Sequence, residues 1–334
     1  MDLARKAQFF TLDVITKIAF GEAFGDLERD EDMYKYLEFT DEMVEVIILS
    51  ATVPLLDWLR SFDWIAKLVF PSGKEATGPG RLIAIAQELV GKRFGPKAVS
   101  RRDMLGSFIR HGLEEDELIS ESLLQILAGS DTTATTLRAT MLFLMSHPSA
   151  YHKLQEEIDT AVREGRASRP IIKYSEAHEL PYLQAVIREG IRIWPTATGL
   201  LTKVVPPEGD MVTVDGKRVF LPGGTNIGTC VWGVLRRKDV FGEDADAFRP
   251  ERWLEASGDK LVYMHKTGDL AFGWGKYQCL GKNIAWMELS KAFFELLRNF
   301  DFAIMDPTKP WKSKNVGLWI ISEQWVQVTD RLGA

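Results

Sequence analysis

Phe272-Gly273-Trp274-Gly275-Lys276-Tyr277-Gln278-Cys279-Leu280-Gly281 runs straight into a helical pattern over Lys282 to Arg298. A single cysteine therefore lies in a glycine-bracketed loop at a helix start. Backbone N–H groups and the positive end of a helix dipole favour a thiolate there, and the glycines let a flat group come close to the chain. Taken alone, Cys279 has a plainer reading: a small apolar residue beside a turn, as most single intracellular cysteines are.

Outward from this loop, the C-terminal side shows alternating, strand-like segments around Val316 to Ile321 and Trp325 to Val328. On the N-terminal side, Met211 to Val214 and Lys217 to Leu221 alternate about Asp215-Gly216, which predicts a hairpin. Helices precede it. One covers Tyr182 to Ile193 and stops at Pro195, and one covers Ala150 to Arg163 with the charged face Lys153, Glu156, Glu157 and Asp159. A long apolar helix is announced by Ser120-Glu121-Ser122 and ends near His147-Pro148. Residues 1 to 100 read as mainly helical, with Phe9, Phe10, Leu12, Ile15, Ile18 and Ala19 at helical spacing before Gly21, and with Gly78-Pro79-Gly80 as a break. The fold class is mainly α with a minor β-sheet.

The 334 residues suffice for a large core, and 46% apolar with 26% charged residues is ordinary for a globular protein. Lys+Arg 41 against Asp+Glu 47, interspersed, gives a formal charge of −6 and no basic groove for nucleic acid. Two cysteines, Cys230 and Cys279, form no disulfide framework or zinc motif, which points to a reducing, intracellular setting. The start Met1-Asp2-Leu3-Ala4-Arg5-Lys6 lacks the apolar region of a signal peptide, and the apolar run Val46 to Leu56 is too short to span a bilayer, though it could dip into a membrane surface.

Three further features bear on Cys279 as a candidate axial ligand of haem iron, to which a thiolate lends electron density for O–O cleavage. Glu189-Gly190-Ile191-Arg192 puts a carboxylate and a guanidinium on one helix face, which is more often an exposed pair of little worth. Phe248-Arg249-Pro250-Glu251-Arg252-Trp253 offers a proline-stiffened arginine able to join that pair, or a turn with solvated charges. Ala128-Gly129-Ser130-Asp131-Thr132-Thr133 sets poor helix formers amid the long apolar helix. A local widening of the helix would aim a hydroxyl and a carboxylate into a cavity for proton delivery, whereas Ser/Thr bonding back to the preceding turn is the structural alternative.

These four signatures, AGSDTT, EGIR, FRPERW and FGWGKYQCLG, occur in that order as in the cytochrome P-450 monooxygenases, and the chain resembles that family over about residues 118 to 300. The flanking Phe10-Thr11-Leu12-Asp13-Val14-Ile15 and Phe20-Gly21 are similar to its middle helices, and FGWGKYQCLGK most resembles fungal members of the pisatin-demethylase-like type. The resemblance implies a partial cytochrome P-450 domain. Residues 1–117 are then its middle helices, 118–300 run from the long central helix through the haem-thiolate loop and its helix, and 301–334 form C-terminal strands. It implies that Cys279 ligates the iron of haem b, with Phe272 beside the sulfur and Gly275, Tyr277 and Gly281 in the loop that holds the macrocycle. It further implies Lys203 at a haem propionate, Glu189, Arg192 and Arg252 as a structural triad locking the thiolate loop, and Asp131 with Thr132 delivering protons to dioxygen. The activity implied is insertion of one oxygen atom of O2 into a small apolar organic substrate in fungal secondary metabolism. Electrons would come from NADPH through a reductase, in the cytoplasm or at the surface of the endoplasmic reticulum.

The chain departs from the family twice. Tyr277 stands where a basic residue is usual, so haem retention leans on Lys203 and Lys276. The membrane anchor, first strands and early helices expected before Met1 are missing, which predicts apolar surface left exposed and a weakened haem pocket. Two rivals stay open: a remnant that no longer holds haem, and a thiolate-haem isomerase or dehydratase, which the Asp131-Thr132 pair disfavours.

Overall fold

The computed structural model describes residues 1–38, 40, 44–46, 48, 53, 62, 78–94, 100–199 and 201–331. The apolar run over residues 46–56 lies largely outside these. Among the described residues, no helix is long and apolar enough to cross a membrane.

Helix α1 covers Leu3–Phe20. The Asp2 carboxylate accepts the Ala4 N–H at its start, and Gly21, at φ 80°, closes it in the left-handed region. Its face of Leu3, Phe9, Leu12, Ile15 and Ala19 is buried. Helix α2, Gly78–Gly91, begins at Gly78-Pro79-Gly80, so the expected break is a helix start, the place in a helix where proline is tolerated. Helix α3 is Met104–Arg110, capped by Asp103 accepting the Gly106 N–H.

The central helix α4 spans Glu115–Ser146, 32 residues. It starts five residues before the predicted Ser120 signal. Glu115, Asp116 and Glu117 fill its first turn with favourable charge, and the Glu117 carboxylate accepts the Glu114 N–H at 2.9 Å. Ser120 is already inside, its hydroxyl donating to the Asp116 carbonyl. α4 also runs unbroken through residues 128–133, so the expected widening does not occur. Ser130 and Thr132 donate to the Ile126 and Ala128 carbonyls, one turn back, at 2.7 Å each, which an ordinary α-helix accommodates.

Helices α5 (Pro148–Arg163), α6 (Pro181–Ile193), α7 (Gly258–Gly268) and α8 (Lys282–Asn299) follow. The main core joins α4, α5, α6 and α8 through residues such as Leu137, Met141, Leu154, Leu183, Ile187, Phe293 and Phe294. A second core joins α1, α2 and the first half of α4 through Leu12, Ile15, Tyr36, Ile85 and Ile126. Two glycines set the helix crossings. A Cβ on Gly129 would stand 2.6 Å from Ile15 of α1, and a Cβ on Gly190 would stand 1.9 Å from the Thr140 hydroxyl of α4.

Among the described residues, the β-structure forms four separate antiparallel pairs. β1 (Lys203–Val204) pairs with β4 (Asn226–Ile227), and β2 (Asp210–Val214) pairs with β3 (Lys217–Leu221). The two-residue turn of that hairpin has φ 49° at Asp215 and 76° at Gly216, both positive as its dipeptide requires. β5 (Phe300–Ile304) pairs with β8 (Val326–Asp330), and β6 (Lys312–Asn315) with β7 (Trp319–Ser322). The strand expected from Val316 begins only at Trp319, because Val316 to Leu318 form the turn that returns β6 onto β7.

Candidate active site

Glu189 on α6 is a buried charge whose two oxygens both accept hydrogen bonds. It and Arg192 are 0% exposed, and Arg252 is buried with them. Arg192 grips both carboxylate oxygens of Glu189 at 2.9 and 2.8 Å, Arg252 Nε donates at 3.0 Å, and the Arg249 N–H and Trp253 indole N–H donate at 2.8 and 2.9 Å. The remaining guanidinium N–H groups satisfy the carbonyls of Leu235, Phe241, Asp244, Ala245 and Ala247, and Arg252 also pairs with the Asp244 carboxylate at 3.0 Å. One glutamate with two arginines thus organises residues 235–253, a stretch with little regular structure. The i,i+3 spacing shows the first pair in the sequence, whereas Trp253 and the Arg249 amide were not anticipated as partners, although both stand in FRPERW.

These bonds do not reach the cysteine loop. The loop is tied to α6 by Arg188, adjacent to Glu189, whose guanidinium lies 3.8 Å from Asp269; Asp269 in turn accepts from Lys282 at 2.9 Å. The hydrogen bonds of Glu189, Arg192 and Arg252 brace residues 235–253, the segment that precedes the loop.

Within the loop the Cys279 N–H donates to the Phe272 carbonyl at 2.7 Å. Gly273, at φ 75°, turns the chain where a Cβ would meet the Tyr277 carbonyl at 2.8 Å, and Gly275 takes φ 61°. Gly281 caps α8, and a Cβ there would come no closer than 3.8 Å to the Cys279 sulfur. The thiol is exposed. Around it Leu280 is 93% exposed, and Trp274 and Tyr277 are also open to solvent. Lys203 of β1 and Lys276 each place an ammonium 4.9 Å from the centre of the Tyr277 ring, so two cations from distant positions meet beside the loop. Phe272 packs on the main core and lies 6.3 Å, ring to ring, from Trp286.

Asp131 and Thr132 are both partly accessible on α4. The Asp131 carboxylate accepts from Gln8 Nε2 at 2.7 Å and from the Tyr36 hydroxyl at 2.6 Å. Gln8 is oriented by Arg138, and Tyr36 also meets Ser130 at 2.7 Å. Burial, then the Asp131 charge, push the Tyr36 phenol well above its ordinary range and keep it a donor. Thr132 spends its hydroxyl on Ala128, and its carbonyl accepts from Thr196, in the segment after α6. Gln8 and Tyr36 carry no local sequence signal.

An exposed sulfur at a helix start, open apolar side chains around it and two ammonium groups at its rim suit a flat, apolar macrocycle with acidic edges. A family model for cytochrome P450 matches residues 1–324. The chain belongs to the cytochrome P450 family. It is 44% identical over 332 residues to cytochrome P450 monooxygenase ABA1 of Pyricularia oryzae, covering 99% of this chain and 64% of that protein. It is 43% identical over 336 residues to the monooxygenase aba1 of Botryotinia fuckeliana, covering 100% and 64%. With pisatin demethylase of Fusarium vanettenii it shares 33% over 333 residues, 97% of this chain and 62% of that protein. The likeness to fungal cytochrome P450 proteins therefore extends beyond the four motifs to nearly the whole chain. The chain spans just under two thirds of the length of these relatives.

Proposed function

We propose that this chain is a haem-thiolate monooxygenase that inserts one oxygen atom of O2 into an apolar organic substrate, with Cys279 as the iron ligand. The observation that carries the reading is the exposed Cys279 thiol, set in a loop of left-handed glycines immediately before an 18-residue helix. Haem b held there would supply activation of dioxygen, with electrons arriving singly from an NADPH-dependent reductase.

The chain's own residues would do the rest. Lys203 and Lys276, with the Tyr277 hydroxyl between them, would receive the acidic edges of the macrocycle, Gly275 and Gly281 would let it approach, and Phe272 would cover the sulfur from the core side. Asp131 holds an acceptor position fed by the Tyr36 hydroxyl, and Thr132 offers a second hydroxyl on the next residue, so protons could be held at the carboxylate and passed along α4. Glu189, Arg192 and Arg252 would keep the wall formed by residues 235–253 in place. One relative is named a pisatin demethylase, which supports an organic compound as the substrate class, and the fungal sources of the relatives support a setting in fungal metabolism. A second reading, a chain that folds without haem, draws on the exposure of Leu280 together with Leu201 and Val204, both of which lie open to solvent.

One experiment separates them. The chain is produced with haem available, reduced and exposed to carbon monoxide. The monooxygenase reading expects the far-red Soret band of a thiolate ligand, abolished by Cys279→Ala; absence of haem uptake by the unaltered chain refutes it.

A further inference from the structure

Asp269 occupies a position that the four motifs do not mark. It opens the 3-10 turn Asp269–Phe272 that leads into the cysteine loop, while Lys282 is the first residue of α8, at the loop's far end. Their 2.9 Å ion pair closes the loop from outside, and the Cys279 N–H to Phe272 carbonyl bond closes it from inside. Asp269 also faces Arg188 of α6 at 3.8 Å, and that guanidinium lies 4.8 Å from the centre of the Trp286 ring on α8. The Lys282 ammonium lies 5.5 Å from the Phe272 ring. All three charged side chains are less than one third exposed, which limits solvent screening. Burial draws the Arg188 guanidinium below its ordinary range and the Asp269 charge draws it back.

We propose that Asp269 is a positioning residue for Cys279, clasping both ends of the loop through Lys282 and mooring them to α6 through Arg188. The Glu189 cluster sends its donors to residues 235–253 instead. The clasp fixes the loop from its two ends and leaves the sulfur side open, as a loop that must accept a ligand requires. Its spectral consequence rests on Cys279 being the haem ligand; its mechanical consequence does not.

The test uses the full chain with Asp269→Asn, which keeps size and removes charge, and with Lys282→Met as an independent variant. In the haem-free chain, hydrogen exchange of the Cys279 amide is expected to accelerate roughly fivefold in either variant, with α4 amides and those of residues 235–253 unchanged. In the haem-loaded, reduced and carbon monoxide-treated chain, the far-red band is expected to give way sooner to the shorter-wavelength band of a neutral ligand. Asp269→Glu is expected to restore both. Unchanged Cys279 exchange in both variants overturns the proposal, as does acceleration spread evenly over α4. If the unaltered chain takes up no haem, the functional reading fails while the exchange measurement still decides the clasp.

Discussion

Gly190→Ala tests whether the crossing of α6 over α4 is set by the absence of one methyl group. A Cβ there would lie 1.9 Å from the Thr140 hydroxyl oxygen, 2.9 Å from its Cβ and 3.0 Å from its Cγ2, about 1.5 Å inside ordinary contact at the closest point. Rotating Thr140 brings little relief, because whichever substituent turns toward α6, the Thr140 Cβ stays 2.9 Å from the new methyl. Thr140 is fully buried, so the helices must part. Overpacking of this severity belongs at the upper end of the usual range, about 3 kcal/mol, and alanine returns about 1 kcal/mol of helix propensity. A net loss of about 2 kcal/mol is expected, read as a lower urea midpoint at unchanged slope. Thr140→Ala in the same chain should recover more than half of it, since both γ atoms vanish and the hydroxyl it removes has no partner among the described residues. An unshifted midpoint for Gly190→Ala, or a cycle without coupling between the two sites, would refute the reasoning.

Glu189→Gln keeps the shape of the buried cluster but takes the carboxylate charge from Arg192 and leaves Arg252 with Asp244 alone. It should cost about 3 kcal/mol by equilibrium denaturation, and a loss below about 1 kcal/mol would show that the carbonyl acceptors and Asp244 suffice. Glu288 on α8 is buried, one of its oxygens has no partner among the described residues, and burial raises its carboxyl from 4.5 to about 8. The folded chain therefore holds this proton more tightly than the unfolded one. Its contribution to stability is present below about pH 4.5 and lost as the pH rises through about 8. Glu288→Gln should flatten that decline, with the variant gaining on the parent between pH 5 and 9 by about 2 kcal/mol in paired urea titrations; parallel curves would count against it.

What the sequence displays is what is local. α1 is legible because Leu12, Ile15 and Ala19 repeat at helical spacing and Gly21 stops them, and the β2–β3 hairpin because Asp215-Gly216 suits its turn geometry. The start of α4 misleads because Ser120 and Ser122 resemble a cap, whereas the acidic turn at 115–117 offers more favourable charge to the helix dipole. The pairing of Glu189 with Arg192 follows from i,i+3 spacing, but the destinations of their other bonds depend on an irregular stretch some fifty residues on. The partners of Asp131 lie 123 and 95 residues away at Gln8 and Tyr36, and such contacts have no period to detect. The Asp269 clasp is hidden for a different reason, since a lone aspartate in a loop usually means a solvated turn.

The glycines of AGSDTT and EGIR have a bearing on inheritance. Gly129 and Gly190 are favoured by the spacing between helices, so descendants under selection for the fold tend to keep them, active or idle. Cys279 is under no such compulsion: its thiol stands in solvent, and a serine there would leave the architecture untouched. Among a set of diverged copies, drift at 279 alongside fixed glycines would mark lineages that have abandoned chemistry while keeping their shape.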